Sequence, residues 1–404
     1  MANQRPTLAC SPPVLPKDVV REAFALFAGT TLATSKPTEY PWFLGHICST
    51  WRSVFLSMNE LWPRISVSFD LEGNERQKNI VQFFLERDLT APFSLNLEFP
   101  TTTAEREEDN MLHALEMLVI ASERWTDASF KATVQQLLPL RRAQNRLPLL
   151  QRFKLTLLCQ TEADPLFDIL QNAPSLTAID VEEPASWVFN LANLKSITMY
   201  FWDSGTSNFI AALPKLEQLI LHEELLLPSP IIILPNLIKL DCTTHLLSLL
   251  EAPLLQNLSI NFRHQRSSDA DIVQSFLRRS LCTMNILFLG INGARAAVAI
   301  EIIKLTPQIV HLKLVSVDKV GNVFEQLTVS AKPGQQWLAC HMQSLSIHKY
   351  YGSDDQLFDL VSSRTDSVAG NHGYDRLQKL VQSDVSPRVI ALCKERGIQY
   401  AENE

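Results

Sequence analysis

Apolar residues recur along this chain with two periods, and the change from one to the other divides it. Pro16 sits where the first turn of a helix accepts a proline, and Val19, Val20, Ala23, Phe24 and Phe27 follow at helical spacing as one apolar stripe. After a polar connector, Gly29 to Glu39, the spacing predicts a second helix from near Pro41. It carries Leu44, Ile47, Cys48, Trp51 and Phe55 on one face, with Trp42 and Phe43 beside it. A third short turn holds Leu61 and Trp62. The period then becomes two. Ile65, Val67 and Phe69 alternate with polar residues, as do Phe93, Leu95, Leu97 and Phe99, which predicts two strands with one buried face each. Between them Ile80, Val81, Phe84 and Leu85 fit an amphipathic helix. Met111, Leu112, Leu115, Leu118 and Val119 fit another, ending near Ser122-Glu123-Arg124-Trp125.

Farther along, one signature, Leu-x-x-Leu-x-Leu, repeats. It appears as Leu150-x-x-Phe153-x-Leu155 and starts again at Leu176, Leu194, Leu216, Leu237, Leu255, Met284 and Ile309, with weaker copies from Met342 and Leu377. Successive starts lie 18 to 35 residues apart, scattered about the roughly 20 to 29 of leucine-rich repeats, which the pattern resembles. Pro174, Pro214, Pro235, Pro253 and Pro307 stand one to two residues before a first apolar position and mark where a connection ends and a strand begins. Each strand buries alternate side chains and cannot cover them alone, so neighbours must stack into one core. The intervening side chains then line up on the exposed face. Asp180, Thr198, Ile220, Asp241, Ser259, Phe288, Lys313 and Ser346 form one column, flanked by Tyr200, His222, Asn261 and His348. That mixture of polar, aromatic and charged groups is a candidate target-binding face, although such a column is exposed whether or not it binds anything. The asparagine or cysteine of regular repeats is missing, with Pro184, Trp202, Glu224 and His245 at its position. An irregular stack with uneven returns is therefore expected. Helical returns are predicted near Asp271 to Arg279, Leu357 to Val361 and Pro387 to Arg396, with Gly397 as a C-cap.

Composition narrows the function classes. Of 404 residues 61 are leucine and only 12 glycine, which disfavours glycine-rich phosphate loops; 46% hydrophobic against 20% charged residues describes a globular chain. A net charge of -7 gives no general attraction to a polyphosphate backbone, so nucleic acid is not expected as a partner. The seven cysteines are too widely spaced for a Cys-x-x-Cys pair or a compact disulfide framework, which fits a reducing compartment. The N-terminal residues lack the apolar core of a signal peptide. The greasiest stretch, Leu225 to Ile238, is interrupted by prolines and too short to span a bilayer, so no membrane association is expected.

Within residues 12–64 the resemblance becomes specific. The run Leu15-Pro16, Val19-Val20, Phe24, then Ile47-Cys48-Ser49-x-Trp51-Arg52, Leu56-Ser57 and Leu61-Trp62 resembles an F-box in the form common among fungal, basidiomycete-type F-box proteins. The Ser122-Glu123-Arg124-Trp125 segment is typical of that group at this point. The resemblance implies a small three-helix unit that binds the Skp-type adaptor of a cullin-RING ubiquitin ligase, through Leu15, Pro16, Val19, Val20 and Phe24 with Ile47, Cys48, Trp51 and Leu61. One departure stands out: where the family has an acid and then Ile or Leu after Leu-Pro, this chain has Lys17-Asp18-Val19-Val20.

The expected architecture is α/β: an F-box-like helical domain at 12–64, a junction and N-terminal cap at 65–140, and an irregular leucine-rich-repeat solenoid at 141–404. No constellation for covalent chemistry is found. Cys48 has His46 nearby, but it falls on the apolar stripe and reads as a buried side chain. The histidines and cysteines have no zinc spacing, Asp269-Ala-Asp271 and Ser353-Asp354-Asp355 lack a calcium-loop continuation, and no cofactor is expected. Arg141, Arg142, Arg146, Arg152 and Lys154 form a basic stretch that reads as a solvated loop or a grip for an acidic or phosphorylated partner. The expected role is a non-catalytic substrate receptor of an SCF-type ligase in cytoplasm or nucleus, bridging the adaptor and cullin scaffold to a target protein. The alternative is a non-ligase interaction scaffold with a degenerate F-box.

Overall fold

The computed structural model describes residues 15–26, 32–33, 44–58, 64–68, 74–87, 90–100, 105–158, 169–181, 192–200, 204–222, 230–262, 269–290, 296–317, 321–329, 338–350, 353–365, 375–382 and 386–402. The chain divides into two compact units, residues 1–176 with 188–190, and residues 177–187 with 191–404. Both are α/β and both are built on parallel strands taken in chain order. No described helix is long and apolar enough to cross a membrane.

The first unit begins with helices α1 (Lys17–Ala25), α2 (Leu44–Ile47) and α3 (Ser49–Ser57). Strands β1 (Leu32–Ala33), β2 (Arg64–Ser68), β3 (Phe93–Glu98), β4 (Trp125–Ala132) and β5 (Arg152–Leu157) pair side by side in that order. Helices α4 (Asn74–Arg87) and α5 (Glu105–Ile120) make the returns. Alternation sends Ile65, Val67, Leu95, Leu97, Phe130, Phe153 and Leu155 inward. Aromatic edges knit the layer, with Phe84 on Phe93 at 5.2 Å and Phe130 between Trp125 and Phe153 at 5.9 Å from each. Strand β4 has no counterpart in the sequence reading, because Thr126 and Asp127 are consecutive polar residues and a register shift near Phe93 absorbs the extra one. The polar connector likewise contains β1, too short for periodicity to register.

The second unit holds β6 (Ala178–Val181), β7 (Ser196–Met199), β8 (Gln218–Leu221), β9 (Ile232–Ile233), β10 (Lys239–Thr243), β11 (Leu250–Glu251), β12 (Asn257–Asn261), β13 (Ile286–Gly290), β14 (His311–Val317), β15 (Ser344–Tyr350), β16 (Lys379–Gln382) and β17 (Gln399–Ala401). All but β9 and β11 form one parallel sheet in sequence order; those two pair with each other. The returns are uneven. They include α6 (Ser204–Ala211), a 3-10 turn at His245–Leu249, and then α7 (Asp269–Ser280), α8 (Ala296–Leu305), α9 (Gly321–Leu327), α10 (Asp354–Ser363) and α11 (Pro387–Arg396). The expected helices at 271–279, 357–361 and 387–396 are α7, α10 and α11, and Gly397 closes α11 at φ 67. That left-handed conformation favours glycine.

Two local devices start many of these strands. Pro174, Pro235, Pro253 and Pro307 occupy the second position of a tight turn. Its closing bonds run from Leu176 N to Ala173 O at 3.1 Å, and at 3.3 Å from Leu237, Leu255 and Ile309 to Leu234, Ala252 and Thr306. Proline presets the backbone angle that position needs. The next two N–H groups then converge on one carbonyl of the preceding repeat. Lys195 and Ser196 donate to Thr177 O at 2.8 and 3.0 Å, Glu217 and Gln218 to Lys195 O at 2.8 Å, and Gln378 and Lys379 to Gln343 O at 2.8 and 3.1 Å.

Arginines close the carbonyls that the returns leave over. Arg364, fully buried, donates to Leu327 O at 2.8 Å, Ala339 O at 2.9 Å and Leu338 O at 2.6 Å. Arg279 reaches Leu247 O at 2.7 Å and Leu250 O at 3.0 Å from the next repeat. An unsatisfied buried acceptor costs about 1 to 3 kcal/mol, so these guanidinium groups are structural. Replacing Arg364→Met is expected to lower the unfolding free energy by about 3 kcal/mol or more. Leu258→Ala, at a fully covered strand position, should cost about 2 to 5 kcal/mol. Urea unfolding of both variants against the parent checks these values.

Candidate functional site

The N-terminal helices position the first set of candidate residues. Val20 and Phe24 of α1 turn inward, where the Phe24 ring meets Trp51 at 5.3 Å and Phe55 at 6.2 Å, edge to face. Pro16 caps α1 from outside the helix, and Leu15, Val19 and Ile47 are 45%, 47% and 52% exposed. Leu61 lies outside the described residues, as do Phe27, Trp42, Phe43 and Trp62. Of the expected adaptor-facing residues, then, Val20 and Phe24 are spent on the segment's own core, Trp51 is half-buried, and Leu15, Pro16, Val19, Ile47 and Cys48 remain outside.

The second helix is not continuous, which corrects the expectation for Cys48. That residue takes an extended conformation, φ -161 and ψ 172, between α2 and α3. The break rotates the following turn, so Val54 and Phe55 fill the interior while Cys48 is exposed instead of buried. Arg52 Nε ties α3 back to Gly45 O at 2.7 Å. Gly45 lets Phe55 close on α2, since a Cβ there would lie 3.3 Å from the Phe55 ring.

The second set lies on the outward face of the second unit's sheet. Register pairs Asp180 with Thr198, Thr198 with Ile220, and Ile220 with Asp241; the row continues through Ser259 and Phe288 to Lys313 and Ser346. The column expected from the sequence is thus one continuous row across eight strands. Beside it, Tyr200 and His222 stack at 4.5 Å between ring centroids, and Lys313 Nζ stands 5.0 Å over the Phe288 ring.

Asp241 sits in the middle of this face. Burial pushes its carboxyl above the ordinary value of 3.8, and the Ser259 hydroxyl and the charges of His222 and Lys239 only partly oppose that. Asn261 Nδ2 donates to Asp241 Oδ1 at 3.2 Å. Asn261 has room because the facing residue is Gly290, where a Cβ would come within 2.8 Å of Asn261 Oδ1. Thr243, two residues on from Asp241 and paired with Asn261, is 5% exposed, and its hydroxyl has no hydrogen-bond partner. The sequence reading passed over Thr243 and Gly290. Counting two residues on from Asp241 and Phe288 reaches both, but Thr243's unmet hydroxyl has no sequence signature.

The basic stretch is largely paired off. Arg142 meets Glu116 at 2.9 Å, Arg146 meets Glu123 at 3.0 Å, and Arg152 pairs with Asp127. Burial alone would raise the Asp127 carboxyl, but Arg152, Ser94 and Thr126 outweigh it and hold the group below the usual carboxylate range. Exposed pairs of this kind contribute about 0.2 to 1 kcal/mol each. They join successive segments and favour the solvated reading of the stretch. Among the described residues no group of three His, Cys, Asp or Glu is arranged to hold a metal ion.

Because its carboxyl is held above 3.8, Asp241 costs the folded state stability where it is ionised, and the cost fades as pH falls and both folded and unfolded chains become protonated. Asp241→Asn should therefore raise the melting temperature at pH 7 and lose that advantage below the ordinary carboxylate value, as thermal unfolding across pH will test. No protein-family model matches this chain and no curated protein sequence matches it, so the partners of these surfaces are argued from their own residues.

Proposed function

We propose that the chain is an F-box substrate receptor of an SCF-type ubiquitin ligase, with an irregular leucine-rich-repeat solenoid that holds the target. The observation that carries this reading is the division of labour in the N-terminal helices. Their inner positions, Val20, Phe24, Val54 and Phe55, already close a core, yet Leu15, Val19, Leu26 and Ile47 stay outside, with Leu26 82% exposed. Burying one such side chain is worth about 1.5 to 3 kcal/mol, so these four can supply much of the affinity of a docking interface. The resemblance of this segment to F-boxes makes a Skp-type adaptor the occupant. In this role the chain performs no bond chemistry itself. Holding a target beside the charged conjugating enzyme raises the effective concentration of its lysines.

A non-ligase scaffold is the second reading. It is favoured by the inward turn of Val20 and Phe24, which leaves the segment fewer outward residues than the F-box motif supplies. Co-purification separates the two. The intact chain should retain the adaptor, and Leu15→Ala/Val19→Ala should weaken that association at least about tenfold, the equivalent of about 1.4 kcal/mol, with the fold unchanged because both side chains are exposed. Failure of the wild-type chain to hold adaptor would overturn the receptor reading and leave the scaffold.

A further inference from the structure

Among the described residues, the outward sheet face of the second unit has a place where polar groups do not satisfy one another. Asp241 accepts from Asn261 at 3.2 Å through one oxygen. On the adjoining position of the same strand face, the Thr243 hydroxyl is buried without a partner. Buried polar groups are normally paired, so an orphan beside a half-buried carboxyl points to a donor that the chain does not itself provide. The cations nearest this spot are otherwise engaged or offset. Lys313 lies over Phe288, and Lys239 is two residues back along β10. An aromatic wall, the Tyr200 and His222 stack, stands one residue past the ends of β7 and β8, to one side.

We infer that this spot receives an arginine side chain of the target protein, its guanidinium donating to Asp241 and Thr243 and its plane lying against the Tyr200 and His222 stack. Arginine fits because its planar, multiply donating head matches two acceptors at once and stacks on rings, while a lysine offers a point charge. The upward push on the Asp241 carboxyl agrees, since its burial is only partly offset by Ser259, His222 and Lys239.

This inference deepens the reading of the face as a target-binding surface and rests on it, but its test is independent of adaptor binding. The full-length chain, labelled with 15N-asparagine, is titrated with acetyl-Gly-Arg-Gly-amide and with the same peptide carrying neutral, isosteric citrulline. Saturable shifts of the Asn261 side-chain signal are expected with the arginine peptide, with citrulline at least about tenfold weaker, and a comparable loss in Asp241→Asn. A thermal melt shows that this variant remains folded. Absence of arginine binding, equal binding of citrulline, or undiminished binding by Asp241→Asn each overturns the inference. Adaptor co-purification reads out separately, so an intact adaptor interaction with no arginine binding removes this site and leaves the receptor proposal standing.

Discussion

The structure depends on a constraint at the start of eight strands of the second unit: two consecutive N–H groups must find acceptors, and the preceding repeat offers one carbonyl placed for both. Thr177, Lys195, Glu217, Ile238, Gln256, Asn285, Val310 and Gln343 supply that carbonyl in turn. Each occupies the position after a repeat's first apolar residue. Since a strand side chain changes face with every residue, a slip of one would turn the whole apolar set into water. The proline turns and the converging bonds prevent it. The register they fix also brings the outward residues of eight strands into one row.

Satisfying the polar backbone of the returns is the second requirement, and it explains the buried arginines. The carbonyls of Leu327, Leu338 and Ala339 are taken by Arg364, and those of Leu247 and Leu250 by Arg279. Irregular returns are thereby tolerated beneath a regular sheet. The outward row contains the opposite case. The Thr243 hydroxyl is left without a partner beside the desolvated Asp241 carboxyl, an arrangement that a ligand could complete.

Much of this was legible in the residues. Ten strands from Leu150 onward follow the repeated apolar signature, while β9, β11 and β17 do not, and the row from Asp180 to Ser346 falls on one face as alternation requires. Periodicity misjudged the N-terminal helices, because helical spacing assumes an unbroken helix. A single extended residue, Cys48, redirects everything after it. It also passed over β4, where two consecutive polar residues interrupt the alternation that marks a strand.

The sequence by itself therefore determined the strands that follow the repeated signature and which of their side chains point outward, since those follow from a period of two and from turn residues that act locally. It also carried the resemblance that suggests an adaptor. Only the tertiary structure decided which outward groups are satisfied. Whether Asp241 is desolvated, whether the Thr243 hydroxyl has a partner, and whether Arg142, Arg146 and Arg152 are free or paired all depend on residues brought from other strands and helices. Hydrogen bonding and desolvation are properties of an assembled neighbourhood, and no single segment of the chain contains one.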